Sequence, residues 1–436
     1  MSKARTASRG KRESDWPEYF KAIGPGLITG ASDDDPSGVA TYSQAGAQFQ
    51  YGLLWTSLVT LPLMAAVQEI CDRTALATGK PLGALADERF RRWRKALSVL
   101  IGLLIVANLL NIAADTSAVG EGMNLLHAGP AGIWAALAGT AVTVLIIVGS
   151  FERITIAFKV LSLALLTYVV VLFAAHPKWT DVLTHTLIPH VQFSKGYMLL
   201  FVAVLGTTIS PYLFFWQSAN RIEDLRADDE GGSKAQPLDQ RRRPKLKLRT
   251  SRLDDFTGMG FSNLVMFAII VSTGATIGAN GNTTITSASQ AAQALKPAAG
   301  GMAQTLFALG FIGSGMLAIP VLAGSGASAL ASLLHKPWGF SHSFRNAPFF
   351  YVLVGIGTLG GTLFTLLGVD PVKLLVFSAL INGLLAPPFL ILVMLISNDR
   401  EIMGEHRNGR AAHVLGWTAT GLMTIAALLY LALNYL

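Results

Sequence analysis

Charge is scarce in this chain: Asp, Glu, Lys and Arg make up 14% of its 436 residues, against 52% hydrophobic residues and a mean hydropathy of +0.48. A soluble domain carries about 25% charged residues, so there is too little charge here to coat a water-facing surface. A soluble enzyme, a disordered chain and a collagen-like fibre are all excluded on that ground. Cysteine is nearly absent as well. Cys71 stands alone, which excludes an internal disulfide and a cysteine metal cluster. What remains is an all-α polytopic membrane protein, since ~20 apolar residues cross a bilayer as a helix.

The apolar runs predict about eleven transmembrane helices, near residues 20–46, 52–77, 96–124, 131–149, 154–175, 196–220, 255–279, 302–333, 348–368, 371–396 and 413–435. The net charge of +8 invites a nucleic-acid reading, but the basic residues sort by side instead. With a cytoplasmic N-terminus, 30 of the 34 Lys and Arg residues fall inside, and only Lys178, Lys195, Lys296 and Lys373 fall outside. That is the positive-inside rule. The expected protein is therefore multi-pass, in a bacterial-type inner membrane, with the lipid bilayer as partner and no nucleic acid or obligate protein partner.

Residues 1–19 are polar and basic with no apolar centre, so they read as a cytoplasmic tail and not a signal peptide. Residues 20–175 form a first group of five spans and residues 176–397 a second. Residues 398–436 supply an inner loop and an extra helix. The long inner loop, 222–254, mixes an acidic stretch with Arg241-Arg242-Arg243-Pro244-Lys245. It can bind anionic lipid head groups or serve as a flexible charged linker. The triplet Asn282-Thr283-Thr284 matches a glycosylation sequon by chance and carries no weight.

Two spans hold punctuation that a lipid-facing helix avoids. The first contains Asp33-Asp34-Asp35-Pro36-Ser37-Gly38 near its middle. Proline removes a backbone donor there and Gly38 adds freedom. An ionisable residue at that depth costs at least ~2.5–3.5 kcal/mol, so it faces a cavity or an ion path. The alternative, an outer loop joining two short segments, leaves neither segment long enough to span. The sixth span repeats the theme in Gly206-Thr207-Thr208-Ile209-Ser210-Pro211-Tyr212. Spans one and six occupy corresponding positions of two five-helix halves, and interruptions paired in this way point to a transporter's binding site. A five-plus-five inverted repeat with one extra helix fits the count.

Unwound backbone leaves carbonyls without helical partners, and the C-terminal end of a half-helix adds partial negative charge. Asp35 adds a full charge and hard oxygen donors, which suit Mg²⁺, Ca²⁺ and Mn²⁺. No Met or Cys stands at either break, and all eight histidines lie at span ends or in loops. Of the remaining acids, Asp72 is expected to pair with Arg73 or Arg89, and Glu69 likewise. Asp115, with Asn108 and Asn111 on the same helix, is either a polar wall of the path or an interhelical hydrogen-bonding group.

These residues resemble a known family. Gly24-Pro25-Gly26, Asp35-Pro36-Ser37-Gly38, Gln44-Ala45-Gly46-Ala47, Tyr51-Gly52-Leu53-Leu54-Trp55 and Thr78-Gly79-Lys80 are similar to the NRAMP divalent-metal transporters, as are the sixth span and Ser397-Asn398-Asp399-Arg400. The resemblance implies the LeuT-type fold with broken first and sixth helices. The departures are specific. Asp-Pro-Gly-Asn becomes Asp35-Pro36-Ser37-Gly38, which keeps the aspartate and loses the asparagine. In the sixth helix the family's metal-binding methionine falls on Ser210, and its two histidines fall on Tyr212 and Gln217. The third-helix acidic positions fall on Asn111 and Ala114, with Asp115 beside them. This pattern resembles the NRAMP-related magnesium transporters.

The expectation is a non-enzymatic divalent-cation transporter, working by alternating access without a coupled proton. It would carry Mg²⁺, accept Mn²⁺ and need no cofactor. The metal site is expected at Asp35, Gly38, Thr207 (through its carbonyl) and Ser210, with Asp34, Ser37, Asn111, Asp115, Tyr212 and Gln217 lining the path. Alternatives are a proton-coupled Mn²⁺/Fe²⁺ importer, a sodium-coupled solute carrier using Ser325 and Ser328, and a non-transporting receptor of the same fold.

Overall fold

The computed structural model describes residues 25–148, 151–227, 235–280, 285, 290–292, 302–365 and 370–435, and among them every element is helical. The N-terminal tail, the sequon and the acidic part of the long inner loop lie outside the described residues. The first predicted span is two helices, α1 (Pro25–Asp33) and α2 (Pro36–Phe49), separated at Asp34 and Asp35. Next come α3 (Trp55–Thr78), a short α4 (Leu82–Arg89), α5 (Arg94–Leu125) and α6 (Ala131–Val148). The fifth span is α7 (Phe151–Ser162), a 3-10 turn and α8 (Leu166–Ala174), and a short α9 (Trp179–Leu187) follows it.

The sixth span is also double: α10 (Lys195–Thr208) and α11 (Pro211–Ala227). The chain continues through α12 (Pro244–Thr276), α13 (Ala303–Leu333), α14 (Pro348–Thr365), α15 (Pro371–Ser397), the one-turn α16 (Arg400–Met403) and α17 (Arg410–Tyr435). Nine of the described stretches are long and apolar enough to cross a membrane. The broken α1–α2 pair and α3, both rich in buried polar groups, complete the eleven expected spans.

Burial separates the inner helices from the outer ones. The α10–α11 span is 94% buried over its most apolar window, whereas α6 is 33% buried. On the lipid-facing side of α5, Val99, Leu103 and Val106 are exposed, as an apolar solvent permits. The broken helices thus sit at the centre of the bundle. Small residues let them pack closely, the usual device where water does not drive helix association. A Cβ on Gly30 would stand 2.1 Å from the Gly258 carbonyl oxygen, and one on Gly206 would stand 2.2 Å from that of Ala379. So α1 lies backbone to backbone on α12, and α10 on α15.

The described part of the inner loop 222–254 is more structured than a flexible linker. Helices α11 and α12 enter it from both ends. Between them Leu238 is buried, and Arg241 Nη2 donates to the Leu225 carbonyl at 3.0 Å.

Candidate functional site

The first break is built around Asp35. Its backbone is extended (φ −62°, ψ 167°), and Pro36 opens α2 behind it. Asp35 Oδ1 accepts from the Gly38 N–H at 2.8 Å and from the Ser37 hydroxyl at 2.5 Å. An N-cap aspartate followed by proline is a strong helix start, which is why the helix resumes here. One oxygen of Asp35 therefore caps the helix. The other, Oδ2, lies 3.4 Å from the Tyr212 hydroxyl.

Each proline orphans a carbonyl four residues upstream, because it has no N–H to give. For Pro36 that carbonyl belongs to Ser32, and the Tyr212 hydroxyl donates to it at 2.9 Å. For Pro211 it belongs to Thr207. There the Ser210 hydroxyl stands 2.7 Å from the Thr207 oxygen and 2.6 Å from that of Gly206. Thr207 also bonds the Tyr42 hydroxyl at 3.0 Å. Gly38 completes this side: a Cβ there would lie 3.3 Å from both Tyr42 Cε2 and the Asp33 carbonyl oxygen. Asp35, Gly38, Thr207, Ser210, Tyr212 and Tyr42 are thus gathered where the two breaks face each other, and the side chains among them are all buried.

Asp115 and Asn111 on α5 are fully buried, and none of their side-chain polar atoms has a hydrogen-bond partner. A Cβ on Gly315 of α13 would lie 3.0 Å from the Asp115 carbonyl oxygen and 3.4 Å from Pro36 Cγ, which sets Asp115 beside the first break. Asp34 is buried with both oxygens unpartnered. Asn108 is committed elsewhere: it donates to the Leu322 carbonyl at 2.9 Å and to Ser325 Oγ at 3.0 Å. Ser325 and Ser328 spend their protons on backbone carbonyls of their own helix.

Gln217 stands in a different network. It accepts from the Thr29 hydroxyl and donates to Asp72 at 3.1 Å and Asp255 at 2.8 Å. Asp72 pairs with neither Arg73 nor Arg89, contrary to the sequence expectation. It takes Arg221 Nε at 2.6 Å and the Ser251 hydroxyl. Adjacent residues on a helix face different ways, and Arg73 turns instead to Glu69 at 3.0 Å, while Arg89 pairs with Asp399. Asp254 accepts from the N–H groups of Gly26 at 2.8 Å and Leu27 at 3.2 Å, so it caps α1 from another helix.

Sequence reasoning missed Tyr42, Arg221, Asp254 and Asp255. For Tyr42 a signal existed, because it lies four residues after Gly38 and therefore on the same helical face. The Asp254–Asp255 pair was visible beside the basic loop, but its partners on α1 and α11 come from tertiary contact alone.

Chemically, the centre offers one capping carboxylate whose second oxygen faces the Tyr212 hydroxyl, further hydroxyls, and carbonyls at the C-terminal end of α10. Among the described residues no group of three or more His, Cys, Asp or Glu is placed to hold a metal by itself. An ion placed here would meet few charges and many neutral oxygens, an arrangement that suits a strongly hydrated cation keeping part of its water.

The family profile described as "Natural resistance-associated macrophage protein-like" (Nramp) matches residues 26–433. The chain is 24% identical over 425 residues to the divalent metal cation transporter MntH of Caldanaerobacter subterraneus subsp. tengcongensis, covering 96% of this chain and 94% of that protein. It is 26% identical over 427 residues to the transporter of the same name from Ralstonia nicotianae, covering 95% and 91%. Among solved structures, a manganese transporter of Eremococcus coleocola superposes with a TM-score of 0.76 at 18% identity, covering 97% of this chain and 87% of that one. At that identity the likeness speaks for the fold, which is the LeuT-type arrangement expected from two broken helices.

Proposed function

Because the chain belongs to the Nramp family, we propose that its two facing breaks form a site that carries divalent metal cations across the membrane by alternating access. Mg²⁺ is the principal cargo, Mn²⁺ is accepted, and no proton is coupled. The observation that carries this reading is the donor set around Asp35. Ser210, Thr207 and Tyr212 offer oxygen only, and Gly38 offers no side chain at all. Softer ions gain from sulfur or nitrogen ligands, whereas Mg²⁺ gains little from either. Magnesium also sheds water reluctantly, and Gly38 adds no side-chain ligand to compete with retained water. Asp34, Ser37, Asn111 and Asp115 supply the polar lining, and Gln217 belongs to the network that closes one side of the path.

A second reading, proton-coupled manganese import, is favoured by the names of the relatives and by one observation. Asp115 is a buried carboxyl without a hydrogen-bond partner, a group that can carry a proton. The two readings separate in one experiment. Purified protein in liposomes is offered Mg²⁺, Mn²⁺ and Ca²⁺ while an internal dye follows pH. Mg²⁺ and Mn²⁺ influx without acidification supports the first reading. Mn²⁺ influx with matching acidification, and no Mg²⁺ influx, supports the second.

A further inference from the structure

Asp33, Asp34 and Asp35 are consecutive, yet their carboxylates go to different neighbours. Asp35 turns to Tyr212 on α11. Asp33 turns to α12, where Ser262 donates to its Oδ2 at 2.7 Å, and its Oδ1 has no partner. Asp34 has no partner on either oxygen, although Ser262 stands close to it as well. Besides Tyr42, the ring within electrostatic reach of Asp34 is Tyr168 of α8. Its hydroxyl is buried and equally unpartnered. Tyr168 passes over Gly310 of α13 so closely that a Cβ there would stand 2.5 Å from the phenolic oxygen.

We infer that Asp33, Asp34, Ser262 and Tyr168 form a second cation site, behind the Asp35 centre, for a hard divalent ion. Three carboxylate oxygens and one phenolic oxygen are buried there without a hydrogen bond. Among the described residues no Lys, Arg or His forms an ion pair with Asp33 or Asp34. Buried charge of one sign needs an opposite charge beside it, and two adjacent carboxylates can share one dication. The donors are all oxygen, which selects Mg²⁺, Mn²⁺ or Ca²⁺ over softer metals. The inference rests on the Asp35 centre being a cargo site, and it adds a reason for the aspartate run. Ions on neighbouring sites repel, and such repulsion weakens each enough to leave, as in multi-site ion pathways. A passive carrier with no proton gradient to drive release gains from that.

The test counts Mn²⁺ bound to the purified full chain, read from the loss of the free-ion EPR signal, with gel filtration as the folding check. The parent should bind two ions, Asp35→Ala one, Asp34→Asn one, and the double variant none. Tyr168→Phe removes a single oxygen, so it should keep the count at two and weaken one class several-fold; it also serves if Asp34→Asn fails to fold. One ion on the parent, none on Asp35→Ala, two on Asp34→Asn, or no change in Tyr168→Phe overturns the second site. One ion on the parent together with altered proton uptake in Asp34→Asn makes Asp34 a proton carrier instead. Failure of the Asp35 reading has a separate signature, which is metal flux retained in Asp35→Ala.

Discussion

Tyr212 supplies the proton donor that Pro36 lacks: its hydroxyl reaches the Ser32 carbonyl at 2.9 Å, so the second broken helix completes the hydrogen bonding of the first. Ser210 does the same for Thr207 within its own break. Each break is held open by a named hydroxyl, and the centre between them is pre-formed.

Asp35 has two roles that substitution can separate. Asp35→Asn keeps an oxygen that can cap α2 and removes the charge. Metal flux should fall to background while the thermal melting point stays near that of the parent. Asp35→Ala loses both and should be less stable by about 0.5–2 kcal/mol, the usual cost of a lost cap. Parent-like flux in Asp35→Asn, measured in liposomes, would place the charge that matters elsewhere.

Tyr212→Phe leaves the Ser32 carbonyl buried without a donor, which costs about 1–3 kcal/mol. A lower melting point and slower metal uptake are expected together. Melting unchanged within error would mean that water or another group takes over the carbonyl.

Ser210→Met with Gly38→Asn tests selectivity. A Cβ at position 38 meets Tyr42 and the Asp33 carbonyl oxygen at 3.3 Å, so Tyr42 must yield by a few tenths of an ångström and the site tightens. The added thioether favours softer ions. The Mg²⁺/Mn²⁺ flux ratio should fall and Cd²⁺ binding should rise, by flux assay and calorimetry. A parent-like ratio would detach selectivity from these two positions.

Metal influx should leave the internal pH unchanged between pH 6 and 8. Tyr212 and Gln217 do not titrate in that range, and the one histidine on a spanning helix, His413, stands in the first turn of α17. Outside the membrane, burial first and Arg226 second push His342 below its ordinary pKa, so it stays neutral at pH 7. Acidification that scales with influx contradicts this prediction.

Arg221 stands between Asp72 at 2.6 Å and Asp254 at 3.8 Å, nearly out of solvent. Arg221→Met strands those carboxylates, and breaking a buried pair costs about 3–5 kcal/mol. A clear fall in melting point, with protein still recovered after Arg221→Lys, is the expected pattern.

Both breaks were legible in the sequence because proline and glycine act through the backbone, whatever surrounds them. The eleven spans were legible for a similar reason, since hydropathy is a local property. Asp72 shows where that legibility stops. Its neighbours in sequence offered two arginines, and the bundle supplied Arg221, 149 positions away. Tyr42 was overlooked because an aromatic residue on a buried face reads as packing until its hydroxyl is seen to meet Thr207. Whether Asp33 and Asp34 faced a path or a partner could not be read from three letters in a row. It took the positions of Ser262 and Tyr168, on two other helices, to show a partner for one oxygen and none for the rest.

The crossing of α1 and α12 has a mechanical consequence. A Cβ on Gly258 would lie 2.0 Å from the Gly26 carbonyl oxygen, and one on Gly30 would lie 2.1 Å from that of Gly258. Side chains between helices act as springs, because rotamers can shift to absorb small displacements. Here there is nothing to shift. The α1 helix can only slide along α12 or lift from it whole, surrendering its Asp254 cap to water as it goes. The contact therefore tolerates no added atom, and one methyl group at Gly30 would force the two backbones apart.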